Sequence, residues 1–113
     1  MAEIREVSRI EEWEAIRDGN DDRKVLIVKH STTCPISAAA WRAVRNFVQA
    51  DSDGKADYVM VKVIESRPVS NAIANDLRVQ HQSPQALLLQ GGKVLWTASH
   101  WDISEKSLEK ALS

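Results

Sequence analysis

Two hydrophobic periods alternate along the chain. Ile10, Trp13 and Ile16 recur every three residues, which is the stripe of an amphipathic helix. Ser8-Arg9-Ile10-Glu11 just ahead has capping-box spacing, a hydroxyl followed three residues later by a carboxylate. Gly19-Asn20, both tolerant of positive φ, is expected to end that helix. Val25-Leu26-Ile27-Val28 then runs apolar without a break and is mostly β-branched, the pattern of a strand covered on both faces. After Pro35 the helical period returns at Ile36, Ala40, Ala43, Val44, Phe47 and Val48, with the segment from Asp51 to Gly54 expected to close the helix. Tyr58 to Ile64, rich in valine, predicts a second strand. Ser66-Arg67-Pro68 carries a turn signal, and a third helix is expected around Ile73, Ala74 and Leu77. Ala86–Leu89 predicts the third strand, Gly91-Gly92 a tight turn, and Lys93–Ala98 the fourth strand. Asp102 or Ser104 is placed to cap a last helix whose buried stripe is Leu108, Ala111 and Leu112.

A helix between the first two strands implies a parallel pair joined by a right-handed crossover, and the Gly-Gly turn implies an antiparallel hairpin. A βαβ unit followed by a ββα unit gives an α/β protein of the thioredoxin-like plan. The expectation is a four-stranded mixed sheet flanked by helices on both faces, with Val25–Val28 beside Ala86–Leu89.

Length and composition narrow the function. At 113 residues the chain is expected to form a single domain over 1–113. It is 43% hydrophobic and 27% charged, too apolar for disorder. A net charge of −1 leaves no basic excess for binding nucleic acid through phosphates. No apolar run approaches the roughly 20 residues that cross a bilayer, and the first residues carry no hydrophobic segment of a signal peptide. A cytoplasmic protein without membrane contact is expected. Cys34 is the only cysteine, so an intrachain disulfide and a multi-cysteine metal site are excluded. His30, His81 and His100 fall in separate elements, so no metal is expected. Gly91-Gly92 lies between strands and makes no phosphate loop.

Cys34 is the residue with chemistry. It sits between the first strand and the second helix, and Pro35 suits the first turn of that helix because its missing N–H costs nothing there. Cys34 is thereby at or next to the N-cap, where free N–H groups and the helix dipole favour a thiolate, the nucleophile of thiol–disulfide exchange. The competing reading of a lone cysteine is a small buried hydrophobe. Ser37 stands where dithiol redox proteins carry their resolving cysteine. It can hydrogen-bond a thiolate or, equally well, the backbone of the first turn. Trp96 is expected to pack on the sheet and Trp101 to cover the last helix.

The run Lys29-His30-Ser31-Thr32-Thr33-Cys34-Pro35-Ile36-Ser37, the turn Gln82-Ser83-Pro84-Gln85 and the run Ser99-His100-Trp101-Asp102-Ile103 resemble the monothiol bacilliredoxins of the YtxJ type. The resemblance spans nearly the whole chain. It implies a thioredoxin fold with Cys34 as nucleophile and Pro84 as the cis-proline of that fold. It further implies removal of bacillithiol, a low-molecular-weight thiol, from mixed disulfides on cytoplasmic proteins, with bacillithiol as co-substrate, no bound cofactor and an external thiol as resolver. Thr33, Pro35, Ser37, Ser83 and Pro84 are the expected substrate-binding residues, and a monomer is expected. Dithiol thioredoxins would need a cysteine at Ser37, and cluster-bridging monothiol glutaredoxins carry Cys-Gly-Phe-Ser in place of Cys34-Pro35-Ile36-Ser37. The alternative is a thioredoxin-fold adaptor module whose cysteine is inert.

Overall fold

The computed structural model describes residues 3–19, 22–50 and 56–112. The elements run β1 (Ile4–Glu6), α1 (Ile10–Asp18), β2 (Val25–His30), α2 (Pro35–Ala50), β3 (Asp57–Lys62), α3 (Arg67–Leu77), β4 (Gln85–Gln90), β5 (Lys93–Ser99), a short 3₁₀ turn (His100–Asp102) and α4 (Glu105–Leu112). One mixed sheet has the order β1-β3-β2-β4-β5. β3 is parallel to both β1 and β2, β4 is antiparallel to β2, and β5 is antiparallel to β4. The central pair is the expected one, with Leu26 opposite Leu88 and Val28 opposite Ala86.

The unbroken apolar run of β2 is explained by its two covered faces. Leu26 and Val28 point to one side with Tyr58, Ala86 and Leu88, under Ala40, Val44 and Val48 of α2 and Leu108 and Leu112 of α4. Val25 and Ile27 point to the other side with Val59, Val61, Leu87 and Leu89, under Trp13 of α1 and Val69 and Ile73 of α3. Each face follows the period of two that a strand imposes. Trp13 is fully buried, and its indole N–H donates to Asp76 of α3 at 2.8 Å, while Arg17 Nη1 donates to the same carboxylate oxygen at 2.8 Å.

The sheet has five strands where the hydrophobic pattern predicts four. β1 is three residues long and pairs Ile4–Glu6 with Tyr58–Met60. Its neighbour Val7 is buried and donates its N–H to Met60 O at 2.9 Å. Helix starts and stops also differ from the pattern. Arg9 takes the N-cap of α1, so Glu12 and not Glu11 is the third helical residue. Glu12 Oε1 accepts the N–H groups of Ser8 and Arg9, each at 3.1 Å. Gly19 closes α1 at φ −96° and has no left-handed conformation; a Cβ there would meet Ala15 O at 2.9 Å. Asn20 and the segment 51–54 lie outside the described residues. Ser66-Arg67-Pro68 is the first turn of α3 and not a turn between elements, because proline is tolerated where the helix has no acceptor for its N–H. Ser104, not Asp102, caps α4: its Oγ accepts the Ser107 N–H at 3.1 Å, while Ser107 Oγ accepts the Ser104 N–H at 3.0 Å. Trp96 packs against the α2–α4 side as expected, but Trp101 is 71% exposed, so most of its surface meets solvent instead of a helix.

The β4–β5 hairpin turns at Gly91 (φ 60°) and Gly92 (φ 76°), the two positive values that a tight hairpin turn requires. Its register shifts after that turn: Leu89 faces Val94 but Leu88 faces Trp96. Leu95 is the extra residue of a β-bulge and is half-exposed.

Candidate active site

β2 and β4 run antiparallel with Lys29 opposite Gln85. The segment that leaves β2 (31–34) and the segment that enters β4 (81–84) therefore lie at the same end of the sheet. The first carries Thr33 and Cys34 into Pro35 and Ser37 of α2; the second carries Ser83 and Pro84.

Cys34 is the N-cap residue of α2. Its carbonyl accepts the Ala38 N–H at 3.0 Å, and its own N–H donates to Ser31 O at 3.4 Å. The residue is partly exposed and its thiol is free of any disulfide. Pro35 follows as the first helical residue, exposed to solvent. The remaining N–H groups of that first turn and the positive end of the dipole face the cysteine. Thr33 is exposed, with Oγ1 3.2 Å from Ser31 Oγ.

Ser37 is fully buried. Its Oγ accepts the Ser31 N–H at 2.9 Å and lies 2.8 Å from His30 Nδ1. Of the two uses open to this serine, the hydroxyl is taken by backbone and by His30, and no bond to the Cys34 sulfur is seen among the described residues. The sequence pattern gave no weight to His30. Its signal lies in the alternation of β2, which puts Leu26, Val28 and His30 on the side that α2 covers. His30 is 8% exposed and stacks on Trp41 of α2, ring centroids 5.3 Å apart and planes inclined by 24°. Burial pushes its pKa below the ordinary histidine value and Lys62 adds to this, against the opposing pull of Glu65 and the Ser37 bond. His30 is accordingly neutral near pH 7.

Lys29 is the second residue that the pattern passes over. It points to the opposite side of the sheet and is fully buried. Nζ donates to Ser70 O of α3 at 3.0 Å and to His81 Nδ1 at 3.3 Å. Because an ammonium only donates, Nδ1 of His81 is the acceptor and His81 carries its proton on Nε2. Burial lowers the Lys29 pKa to about 8. Burial, then Lys29 and Arg67, depress that of His81. Lys29 thus ties α3 to the segment that carries Ser83 and Pro84.

The Ser83–Pro84 peptide bond is cis. Pro84 is buried and its carbonyl accepts the His100 N–H at 3.0 Å, which anchors the end of β5 to the same segment. Ser83 Oγ is the one buried side-chain atom without a hydrogen-bond partner among the described residues. The same residues contain no group of three or more His, Cys, Asp or Glu able to hold a metal ion, and no helix long and apolar enough to cross a membrane.

A mixed sheet of this order with a cysteine at the N-cap of α2 defines a thioredoxin-fold protein with one cysteine. Solved structures agree: a thioredoxin of Malassezia sympodialis superposes with TM-score 0.79 at 13% identity, covering 99% of this chain and 90% of that one. A Fasciola hepatica thioredoxin gives 0.75 at 14% identity over 96% and 95%. A structure described as a candidate oxidoreductase with a thioredoxin fold gives 0.84 at 33% identity over 97% and 94%. Residues 5–108 match the family described as monothiol bacilliredoxin BrxC, and the chain belongs to that family.

Proposed function

We propose that this protein is a monothiol thiol–disulfide oxidoreductase that removes bacillithiol from mixed disulfides on cytoplasmic proteins. One observation carries the reading: the single cysteine of the chain is partly exposed at a helix N-cap, and the place of a resolving cysteine is filled by a buried serine. The Cys34 thiolate attacks the small-thiol sulfur of the mixed disulfide. A Cys34–small-thiol disulfide forms, the original S–S bond breaks, and the client leaves as a thiolate. Attack on the client sulfur would instead leave two proteins linked. Ser37 cannot clear the adduct, so a second small-thiol thiolate attacks it, releasing the symmetric small-thiol disulfide and the Cys34 thiolate. Electrons balance, because each exchange breaks one S–S bond and forms another.

In this scheme Thr33 and Pro35, both exposed, and the half-buried Ser83 form the contact surface for the client, with the buried Pro84 setting the course of the backbone behind Ser83. Ser37, with no exposed surface, holds the 31–34 segment against His30 instead of touching the substrate. The test is mass spectrometry of the protein incubated with a bacillithiolated client. The expected result is a one-to-one adduct at Cys34 that persists without free thiol and turns over when thiol is restored, with no release by Cys34→Ser. Sustained turnover without added thiol refutes the scheme. A Cys34 that alkylates only after unfolding makes the protein an adaptor.

A further inference from the structure

Beyond Cys34, the outer face of α2 holds a shallow groove of about 270 Å³ lined by Ala38, Trp41, Arg42, Arg45, Asn46 and Gln49. These positions recur every three or four residues and share one helix face. The groove begins one turn from the cysteine, since Ala38 is the residue whose N–H bonds the Cys34 carbonyl. Ala38 is exposed there and adds only a methyl group between the cysteine turn and the groove. Trp41 forms a fixed wall, backed by its stacking on the buried His30.

The charge of this face is one-sided. The helix sequence PISAAAWRAVRNFVQA holds Arg42 and Arg45 and no acid. Among the described residues neither arginine forms an ion pair, and both are exposed. In a chain of net charge −1 this is a local arrangement and not a consequence of composition. A guanidinium offers a planar fork of donors that matches a carboxylate. With a rise of 1.5 Å per residue, Arg42 starts roughly 12 Å along the axis from Cys34, and helical side chains lean back toward the N-terminus, which shortens the gap.

We propose that this groove binds the carboxylate-bearing far end of the small thiol while its sulfur is joined to Cys34. The inference rests on the reading that Cys34 exchanges small thiols, and it adds what selects them: a carboxylate about 10 Å from the sulfur, within reach of the two arginines. A volume this small suits one small molecule better than a peptide segment of a client.

The test compares two thiols that differ only in charge, the peptide Cys-Gly-Asp and its carboxamide counterpart Cys-Gly-Asn-amide, each offered as its symmetric disulfide, and reads how readily Cys34 takes up each thiol as a mixed disulfide. Wild type is expected to favour the carboxylate thiol about tenfold at low salt, with the ratio falling as sodium chloride rises. In the R42Q/R45Q double variant the ratio is expected to approach one. Exchange with both thiols but no preference in wild type, or a preference kept in the double variant, overturns the groove and leaves the exchange reaction standing. Exchange with neither thiol overturns both. An R42Q/R45Q variant that slows dethiolation of acidic clients, with no small-thiol preference in wild type, assigns the face to proteins and overturns the proposal.

Discussion

Lys29 is an ammonium group buried without a carboxylate, and its replacement by methionine is expected to expose what that burial costs. Its ordinary pKa of 10.5 falls to about 8 in the folded protein, because burial disfavours the charged form. The unfolded chain therefore binds more protons than the folded one between these two values. Stability rises with pH wherever the unfolded state binds more protons, by about 1.4 kcal/mol per pH unit for one group. Below pH 8 the penalty of the buried charge is fully present. Across the window from about pH 8 to 10.5 it is relieved, by roughly 3 kcal/mol in total. Lys29→Met removes the titration while keeping an unbranched chain in the β2 position. At pH 7 it also leaves Ser70 O without its donor and His81 Nδ1 with only the Ser70 hydroxyl at 3.4 Å, a loss of about 1–3 kcal/mol that offsets the gain from removing the charge. Near-equal stabilities at pH 7 are expected to give way to a wild type more stable than the variant by about 2–3 kcal/mol at pH 10.5. Urea unfolding of both proteins at half-unit steps from pH 7 to 10.5 reads this directly, since the difference between the curves cancels the groups that Lys29 does not touch, and His81, whose pKa lies below 6.5, titrates below this window. A difference that stays flat across the window refutes the reasoning: Lys29 would then be titrating alike in the folded and unfolded chains.

Three further substitutions follow from the same geometry. Ser37→Ala leaves the Ser31 N–H and His30 Nδ1 without their shared hydroxyl, and a loss of about 1–3 kcal/mol in urea unfolding is expected; an unchanged midpoint would mean that water replaces the hydroxyl at no cost. His30 and His81 both have depressed folded pKa values, so the stability they contribute is present above about pH 6.5 and lost as pH falls through the folded values. His30→Asn and His81→Asn are each expected to weaken the acid destabilisation that sets in below about pH 6.5, and a variant curve parallel to that of the wild type would speak against it.

The elements legible in the chain were those whose signal is local. The unbroken β-branched run of β2, the Gly91-Gly92 turn, and proline directly after cysteine each carry their own conformational reason. β1 carries none: Ile4-Arg5-Glu6 is short and half polar, and only the waiting edge of β3 makes it a strand. The buried polar pair was hidden for a related reason. Lys29 and His30 read as the polar end of a strand, yet β2 runs on through both, each facing a layer of helices. Their partners, Ser70 and His81 for one and Ser37 and Trp41 for the other, come from other elements, which no spacing in the chain brings together. Trp101 failed in the opposite sense, since a large apolar side chain is no guarantee of cover.

The extra residue in β5 lets one edge strand serve two masters. Were Leu95 paired in the ladder like its neighbours, Val94 and Trp96 would project to the same side of the sheet. With it, Val94 joins the α1–α3 layer and Trp96 the α2–α4 layer. The insert also breaks the even row of backbone donors and acceptors along the outer rim, so a neighbouring chain finds no straight template on which to extend the sheet. At the far rim β1 is too short to act as one, and the Lys62–Glu6 ion pair at 3.6 Å sets charge beside it. Both open margins of the sheet are thus blunted against self-assembly by different means.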